Sequence, residues 1–237
     1  MKRHIPNCIT CLNLLSGCIS IVMAFKGELQ LASYMILLAA LFDFCDGLVA
    51  RLLKVESPIG VDLDSFADNL SFGLAPAMIL FVWLKDCYAD LSPSMQTPFT
   101  EILRYLVFIV PILSAVRLAK FNHDERQKTE FRGLATPANA LFIGFLHFAS
   151  ENISFLGNYW IALIGMFIFS LLMVIDLPMF SLKFKNFKFK ENWFRFLFLF
   201  LALLLLIFFQ IGAIPVIILL YLFMTLMHYI VVRIHIK

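Results

Sequence analysis

Charged residues are scarce in this sequence. Asp, Glu, Lys and Arg together make up 15% of the 237 residues, whereas 62% are hydrophobic. The mean hydropathy is +0.90. A soluble domain of this size does not need so much apolar surface, and the apolar residues form continuous runs instead of an alternating pattern. The composition therefore excludes a soluble protein and a β-barrel, and it predicts an all-α integral membrane protein.

Two further absences narrow the expected function. The one lysine run that alternates with phenylalanine, residues 183–190, lies between two apolar segments and is interpreted as an anchor on anionic lipid head groups, so the sequence predicts no nucleic-acid binding. Its five cysteines are scattered, so they predict no disulfide framework. The Cys8–Cys11 pair has no second pair or histidine cluster beside it. We interpret that pair as helix packing, with metal or redox use as the less favoured alternative.

Eight apolar segments predict a polytopic bundle of transmembrane helices. They cover residues 6–25, 30–52, 59–84, 98–120, 137–150, 158–177, 193–210 and 212–233. If the N-terminus is cytoplasmic, Lys and Arg concentrate in the loops on that side, which fits the positive-inside rule. We therefore expect about eight spans, both termini in the cytoplasm, and one membrane domain over residues 1–237.

Four aspartates stand between two of these apolar runs. Asp43 and Asp46 are three residues apart, and Asp64 and Asp68 are four apart, so each pair shares one face of a helix. Carboxylates inside membrane helices are costly and usually mark a functional site with a cation. Four of them on neighbouring helices would repel one another without divalent metal between them. The pattern therefore predicts a metal site formed by these side chains.

The flanking residues indicate how this site is built. The second helix is expected to end near Arg51 and the third to begin near Pro58, which makes the two helices antiparallel neighbours. Small residues on the same faces leave room for a ligand: Gly47, Ala50 and Gly60. The alternative is a set of structural ion pairs, but only Arg51 is close enough in sequence to neutralise the four acids.

The run from Asp43 to Asp68, D-x2-D-G-x2-A-R-x8-G-x3-D-x3-D, resembles the signature of the CDP-alcohol phosphotransferase family at every fixed position. Four other stretches are similar to its phosphatidylserine synthase branch, the membrane-embedded type of bacteria and archaea: HIPNxITxLNLxSG, RLAKFN, DERQ and GLxTPANA. The resemblance covers residues 1 to about 150, expected to be the catalytic part, and the helices of about 151–237 carry no motif. Ala135 departs from the branch, which usually has proline there.

The resemblance implies transfer of the phosphatidyl group of CDP-diacylglycerol to the hydroxyl of L-serine, giving phosphatidylserine and CMP. It implies Mg²⁺ or Mn²⁺, with two ions expected. Asp43, Asp46 and Asp64 are the predicted ligands, with Asp68 shared between metal binding and a second role. In the family the aspartate at the position of Asp68 is the general base, so Asp68 is also the predicted catalytic residue.

Two further groups of residues are expected to bind the substrates. The nucleotide and diphosphate are assigned to Asn7, Thr10, Gly47, Ala50, Arg51 and Gly60. Capping and helix contacts would explain the polar residues of the first segment equally well. The carboxylate of serine needs a cation, and the nearest basic residues are Arg117, Lys120, Arg126 and Arg132.

Two other functions stay open at this point. The same chemistry could use another acceptor, such as glycerol 3-phosphate or inositol phosphate, because a basic loop also suits a phosphate. A cation transporter could use the acidic cluster as its ion site, although we find no inverted repeat. The favoured interpretation is an enzyme of the cell (inner or plasma) membrane whose site opens to the cytoplasm, and the resemblance predicts a homodimer.

Overall fold

The computed structural model describes residues 4–55, 57–124, 132–179 and 189–235, and this part of the chain is built from helices. They are α1 (His4–Phe25), α2 (Leu29–Leu53), α3 (Pro58–Asp68), α4 (Ala75–Ala89), α5 (Pro98–Leu103), α6 (Ile109–His123), α7 (Thr136–Gly144), α8 (Leu146–Asn152), α9 (Tyr159–Val174), α10 (Phe189–Phe209) and α11 (Ala213–His235). The predicted all-α fold class is confirmed, and the predicted segments match these helices closely.

Several of these helices join into longer spans. A π-helical segment, Asn69–Leu74, connects α3 to α4, and a 3₁₀ segment, Arg104–Phe108, connects α5 to α6. In the described residues, four helices are long and apolar enough to cross a membrane: His4–Phe25, Pro58–Ala89, Pro98–His123 and Asn192–Met227. The shorter Tyr159–Val174 is also apolar. The chain is an integral membrane protein, while the count of eight spans and the cytoplasmic termini stay predictions.

The connection between α2 and α3 is short and well defined. The helix α2 ends where Lys54 adopts a left-handed conformation, with φ of 52°. The helix α3 begins at Pro58, whose missing N–H is no loss in a first turn. The Ser57 side chain accepts a hydrogen bond from the N–H of Gly60 at 3.0 Å and caps that turn. Both helix ends lie within a few residues of the predicted positions.

The helix α1 packs against both α2 and α3, and its residues line one side of the cleft between them. Its close approach to the π-helical segment depends on Gly17, because a Cβ at this position would collide with Ser71. In membranes such small residues let backbones approach and gain van der Waals contact, since lipid offers no hydrophobic driving force between helices. This contact fixes the position of α1 beside Asp68, the residue just before the π-helical segment.

The main core lies among α4, α7 and α9. Leu80, Phe142 and Met166 are buried there, and the rings of Phe142 and Phe169 stack with centroids 3.5 Å apart. Three residues of α11 pack against the same core: Ile218, Tyr221 and Leu222. The C-terminal helix α11 therefore shares a core with the part of the chain that carries the sequence motifs.

Candidate active site

Three of the four predicted metal ligands come together in the structure. Asp43 lies on α2, and Asp64 and Asp68 lie one turn apart on α3. Carboxylate oxygens of the three residues all lie within 4.8 Å of one another. At this distance three negative charges repel strongly in a membrane interior. The acidic group could therefore hold a divalent metal ion, whose charge would offset that repulsion.

Asp46 lies beside this group without joining it. It is 6% exposed, and within the described residues its Oδ2 atom makes no hydrogen bond. The side chain of Thr10 lies next to the carboxylate, and Asp46 shares a cleft with Asp64. A buried carboxylate oxygen without a donor is costly, so it fits a position for a cation. An all-oxygen ligand set is also the type that Mg²⁺ and Mn²⁺ prefer.

Asp68 has a partner that the sequence analysis did not assign. Asn13 on α1 is fully buried, and its Nδ2 donates a hydrogen bond to Oδ1 of Asp68 at 3.3 Å. The backbone carbonyl of Asn13 in turn accepts a hydrogen bond from the Ser71 hydroxyl at 3.0 Å. Asp68 itself is 8% exposed. The sequence does contain a signal for Asn13 as a site residue. It follows Thr10 by three residues and so continues a polar stripe on an otherwise apolar helix.

The cleft between α2 and α3 contains most of the predicted nucleotide-binding residues. Its lining is formed by Pro6, Asn7, Thr10, Asp46, Gly47, Ala50, Val55, Ser57, Gly60, Val61 and Asp64. Arg51 is the exception among the predicted residues. Its Nε donates to the carbonyl oxygen of Gly47 one turn back at 2.9 Å, in an exposed position. The structure thus brings five of the six residues together and directs the Arg51 guanidinium along its own helix.

Two glycines determine the width of this cleft. A Cβ built on Gly47 meets no atom within 4 Å, so this position faces open space. A Cβ on Gly60 would lie 3.1 Å from Oδ1 of Asn7 and 3.0 Å from Oγ of Ser57. The absence of both side chains therefore keeps room between α1, α2 and α3 for a ligand.

A second cavity, of about 510 Å³, is lined by four basic, two acidic and three apolar residues, and we call it the basic cavity. Its lining contains Arg117, Lys120, His123, Asp124, Arg132, Met173, Val174, Ile175 and Asp176. Arg132 forms an ion pair with Asp176, with Nη1 3.1 Å from Oδ2. Arg117 is buried, and its Nε donates to the carbonyl of Leu134 at 2.6 Å. Arg126 lies outside the described residues.

The basic cavity adjoins the acidic cluster. Arg117 and Asp68 interact electrostatically. The Nδ2 atom of Asn122 on α6 donates to Oγ of Ser65 on α3 at 2.8 Å, which ties the helix of the basic residues to the helix of the acids. A ligand that carries both a hydroxyl and an anionic group could therefore reach both sites.

Comparison with known proteins finds relatives of similar sequence. The chain is 32% identical over 164 residues to CDP-diacylglycerol–serine O-phosphatidyltransferase of Mycobacterium leprae, covering 66% of this chain and 50% of the relative. It is 26% identical over 197 residues to the Helicobacter pylori protein of the same name, covering 79% and 74%. The Bacillus subtilis protein of that name is 32% identical over 152 residues, covering 64% and 79%. The matched region thus spans half of the mycobacterial relative and about three quarters of the other two.

The sequence model of the CDP-alcohol phosphatidyltransferase family matches residues 3–179. This range contains the acidic cluster, the cleft lined by Gly47 and the basic cavity, so it includes every element of the candidate site described above. The resemblance inferred from the spacing of the aspartates is confirmed. The chain belongs to the CDP-alcohol phosphatidyltransferase family.

Proposed function

We propose that this protein transfers the phosphatidyl group of CDP-diacylglycerol to the hydroxyl of L-serine, giving phosphatidylserine and CMP. The observation that carries the proposal is the convergence of Asp43, Asp64 and Asp68 beside a cleft lined by small residues. The names of the relatives from Mycobacterium leprae, Helicobacter pylori and Bacillus subtilis supply the donor and the acceptor. The site lies between membrane helices, so the acyl chains of the donor can stay in the bilayer.

The cleft is the proposed site of the CDP group. Asn7 and Thr10 from α1 offer hydrogen bonds, and Gly47, Ala50 and Gly60 leave space for the nucleotide. Because Asp46 and Asp64 reach the same cleft, the diphosphate would lie where the acidic cluster meets the nucleotide site. Arg51 lies at the rim and would reach a phosphate only by leaving the carbonyl of Gly47.

The four aspartates are the proposed metal ligands. Carboxylate oxygens of Asp43, Asp64 and Asp68 lie within 4.8 Å of one another, and Asp46 would complete the set. Two divalent ions would balance four carboxylate charges, so we propose two ions, Mg²⁺ or Mn²⁺. When bound, such ions neutralise and polarise the oxygens of the diphosphate. The residues themselves position the donor and keep the phosphorus close to Asp68.

Asp68 is the proposed general base. The serine O–H bond breaks as its proton moves to the Asp68 carboxylate, and the serine oxygen forms a bond to the phosphorus of the phosphatidyl group. The bond between that phosphorus and the oxygen of CMP breaks, and its electron pair leaves with CMP. The amide of Asn13 holds one oxygen of Asp68 and so orients the carboxylate. General base catalysis of this kind contributes about 10²- to 10⁴-fold in rate.

The basic cavity is the proposed acceptor site. Arg117 and Lys120 line it on α6 and supply positive charge for the carboxylate of serine. Asp176 offsets the charge of Arg132. We therefore assign Arg132 a structural role, in which its ion pair holds residues 132–135 beside the residues that follow α9. Because the same charges suit a phosphate, glycerol 3-phosphate and inositol phosphate are the competing acceptors that the assay must include.

The membrane location can be stated more finely as a proposal. We propose that the acidic cluster lies toward the cytoplasmic face of the cell membrane, which the distribution of Lys and Arg supports. CDP-diacylglycerol and serine would then enter from that side. The resemblance to the family also predicts a homodimer, which cross-linking of the protein in native membranes would test.

The proposal is tested by CMP release from CDP-diacylglycerol with purified protein in detergent. L-serine, glycerol 3-phosphate and inositol phosphate are compared, each with Mn²⁺ or Mg²⁺ and with EDTA. We expect release that needs serine and metal and that is lost in Asp68→Asn. Asp62→Asn serves as the matched control, since Asp62 lies on the same helix but does not line the cleft.

Two results would redirect the proposal. Release with glycerol 3-phosphate but not serine would keep the family chemistry and replace the acceptor. No release with any alcohol, together with metal-ion uptake into proteoliposomes by folded protein, would favour the transporter interpretation and reject the enzyme.

A further inference from the structure

The basic cavity carries charges of both signs. Four basic side chains and two acidic ones line it: Arg117, Lys120, His123, Arg132, Asp124 and Asp176. A phosphate monoester suits such a lining poorly, because each carboxylate repels its negative charges. A zwitterion suits it better, since each of its two charges can lie beside an opposite one. The acidic residues therefore bear on which acceptor the cavity takes.

The two carboxylates of the cavity have different surroundings. Both oxygens of Asp176 accept hydrogen bonds from Nη1 of Arg132, at 3.2 and 3.1 Å, so Asp176 belongs to the structural ion pair described above. Asp124 is partly exposed and directly follows α6, and its N–H donates to the carbonyl of Lys120 at 2.9 Å. That hydrogen bond fixes the backbone of Asp124 one turn beyond Lys120. Asp124 is therefore the carboxylate that the cavity offers to a ligand.

The basic residues of α6 and Asp124 follow one line along the chain. Arg117, Lys120 and Asp124 are separated by three and four residues, which places them on one side of the helix with neighbouring Cβ atoms about 5–6 Å apart. The positive charges come first, at the end that interacts with Asp68, and the negative charge follows one turn later. L-serine carries its carboxylate and its ammonium group on one carbon. Opposite charges one turn apart match this arrangement.

The end of α9 adds negative potential to the same cavity. Met173, Val174 and Ile175 line it, and α9 ends at Val174. Carbonyl groups of a last helical turn carry the negative end of the helix dipole. The carbonyl oxygen of Val174 already accepts a hydrogen bond from the ammonium group of Lys120 at 3.4 Å. This helix end is thus favourable for an ammonium group and unfavourable for a phosphate.

We propose that Asp124 binds the ammonium group of the acceptor and so selects an amino acid over a phosphate monoester. The inference rests on the proposed function, in which this cavity holds the acceptor. Arg117 and Lys120 hold the carboxylate of serine, and Asp124 holds the ammonium group beside the carbonyl end of α9. Asp124 touches no reacting atom, so it determines specificity and takes no part in the bond changes. It separates serine from glycerol 3-phosphate and inositol phosphate.

The experiment removes the ammonium group from the ligand and the carboxylate from the protein, separately and together. Full-length protein in detergent is titrated by calorimetry with L-serine and with 3-hydroxypropionate, which keeps the hydroxyl and the carboxylate but lacks the ammonium group. The parent is compared with Asp124→Asn and with Asp124→Glu, which keeps the charge. Asp62→Asn is the matched control, because it removes the same charge from α3 and Asp62 lines neither the cleft nor the basic cavity. CMP release with L-serine and with glycerol 3-phosphate is measured on the same proteins.

We expect the parent to bind L-serine about tenfold or more tightly than 3-hydroxypropionate, because a hydrogen bond to a charged group contributes about that factor. Asp124→Asn should raise the dissociation constant of L-serine by about tenfold and leave that of 3-hydroxypropionate unchanged. Asp124→Glu and Asp62→Asn should keep the preference for L-serine. In CMP release, Asp124→Asn should raise the KM for serine by about tenfold, keep kcat within about threefold and increase the use of glycerol 3-phosphate relative to serine.

Three results would overturn the proposal. One is equal binding of L-serine and 3-hydroxypropionate by the parent, which is measured whether or not any variant folds. Another is an unchanged affinity for L-serine in Asp124→Asn when its thermal unfolding matches that of the parent. The third is an equal loss of affinity for both ligands in that variant, since the effect would then not involve the ammonium group.

The same measurements judge the proposed function separately. CMP release that needs serine, together with any of these three results, keeps the reaction and rejects Asp124 as the ammonium ligand. Binding of L-serine that depends on Asp124, without CMP release by folded protein, keeps the ammonium site and rejects the reaction.

Discussion

Substitution of Gly47 by Ala separates ligand binding from folding. Gly47 lies within α2, and a Cβ at this position meets no protein atom within 4 Å. Ala in a helix interior is more favourable than Gly by roughly 0.5–1 kcal/mol. The variant is therefore expected to be at least as stable as the parent, because the new methyl group gains helix propensity without a clash.

The same methyl group enters the cleft assigned to CDP-diacylglycerol. Inserting a methyl group into an occupied, close-fitting site costs about 1–3 kcal/mol, which corresponds to a factor of about 5 to 150 in affinity. We therefore expect Gly47→Ala to raise the KM for CDP-diacylglycerol by about 5- to 150-fold in the CMP-release assay. The thermal unfolding temperature should be unchanged or higher.

Gly165 provides a matched control. It also lies within a helix, α9, and a Cβ there would contact Phe142 at an ordinary 3.6 Å, away from the cleft. Gly165→Ala should keep the parent KM. The reasoning fails if Gly47→Ala leaves the KM unchanged, or if both variants raise it equally, since the cleft would then not be the donor site.

Three further predictions concern single contacts. Asp68→Asn should lower CMP release by about 10²- to 10⁴-fold, while Mn²⁺ binding, measured by electron paramagnetic resonance, is retained. If the variant instead loses Mn²⁺ binding, the lost activity would be explained by metal binding and Asp68 would not be assigned as the base. Gly17→Ala should destabilise the protein by about 1–3 kcal/mol because its Cβ collides with Ser71, and an unchanged unfolding temperature would contradict the packing. Arg132→Gln, which breaks the partly exposed pair with Asp176, should cost at most about 1 kcal/mol and leave the KM for serine within about twofold; a large rise in that KM would return Arg132 to the acceptor site.

The helical period explains why the acidic cluster could be predicted. Spacings of three and four residues put Asp43 and Asp46, and Asp64 and Asp68, on single faces, and the short connection ending at Pro58 placed the two helices together. These are local properties of the chain. The structure brings three of the four carboxylates within 4.8 Å, and Asp46 lines the adjoining cleft.

Contacts between distant residues could not be predicted in the same way. Asn13 and Asp68 are 55 residues apart, and Arg132 and Asp176 are 44 apart, so no local spacing links either pair. Arg51 is a predicted nucleotide-binding residue by its position in the motif, but its side chain donates a hydrogen bond within its own helix and does not line the cleft.

The central claim is that the acidic cluster supports metal-dependent transfer of a phosphatidyl group to serine. It is tested most directly by the incorporation of labelled L-serine into lipid by purified protein, measured as Mn²⁺ is added after EDTA treatment. We predict labelled phosphatidylserine that rises with Mn²⁺ to saturation and is absent in Asp43→Asn and Asp64→Asn, two variants that lose a carboxylate from the cluster. Incorporation that persists in EDTA, or that both variants retain at the parent rate, would contradict the account.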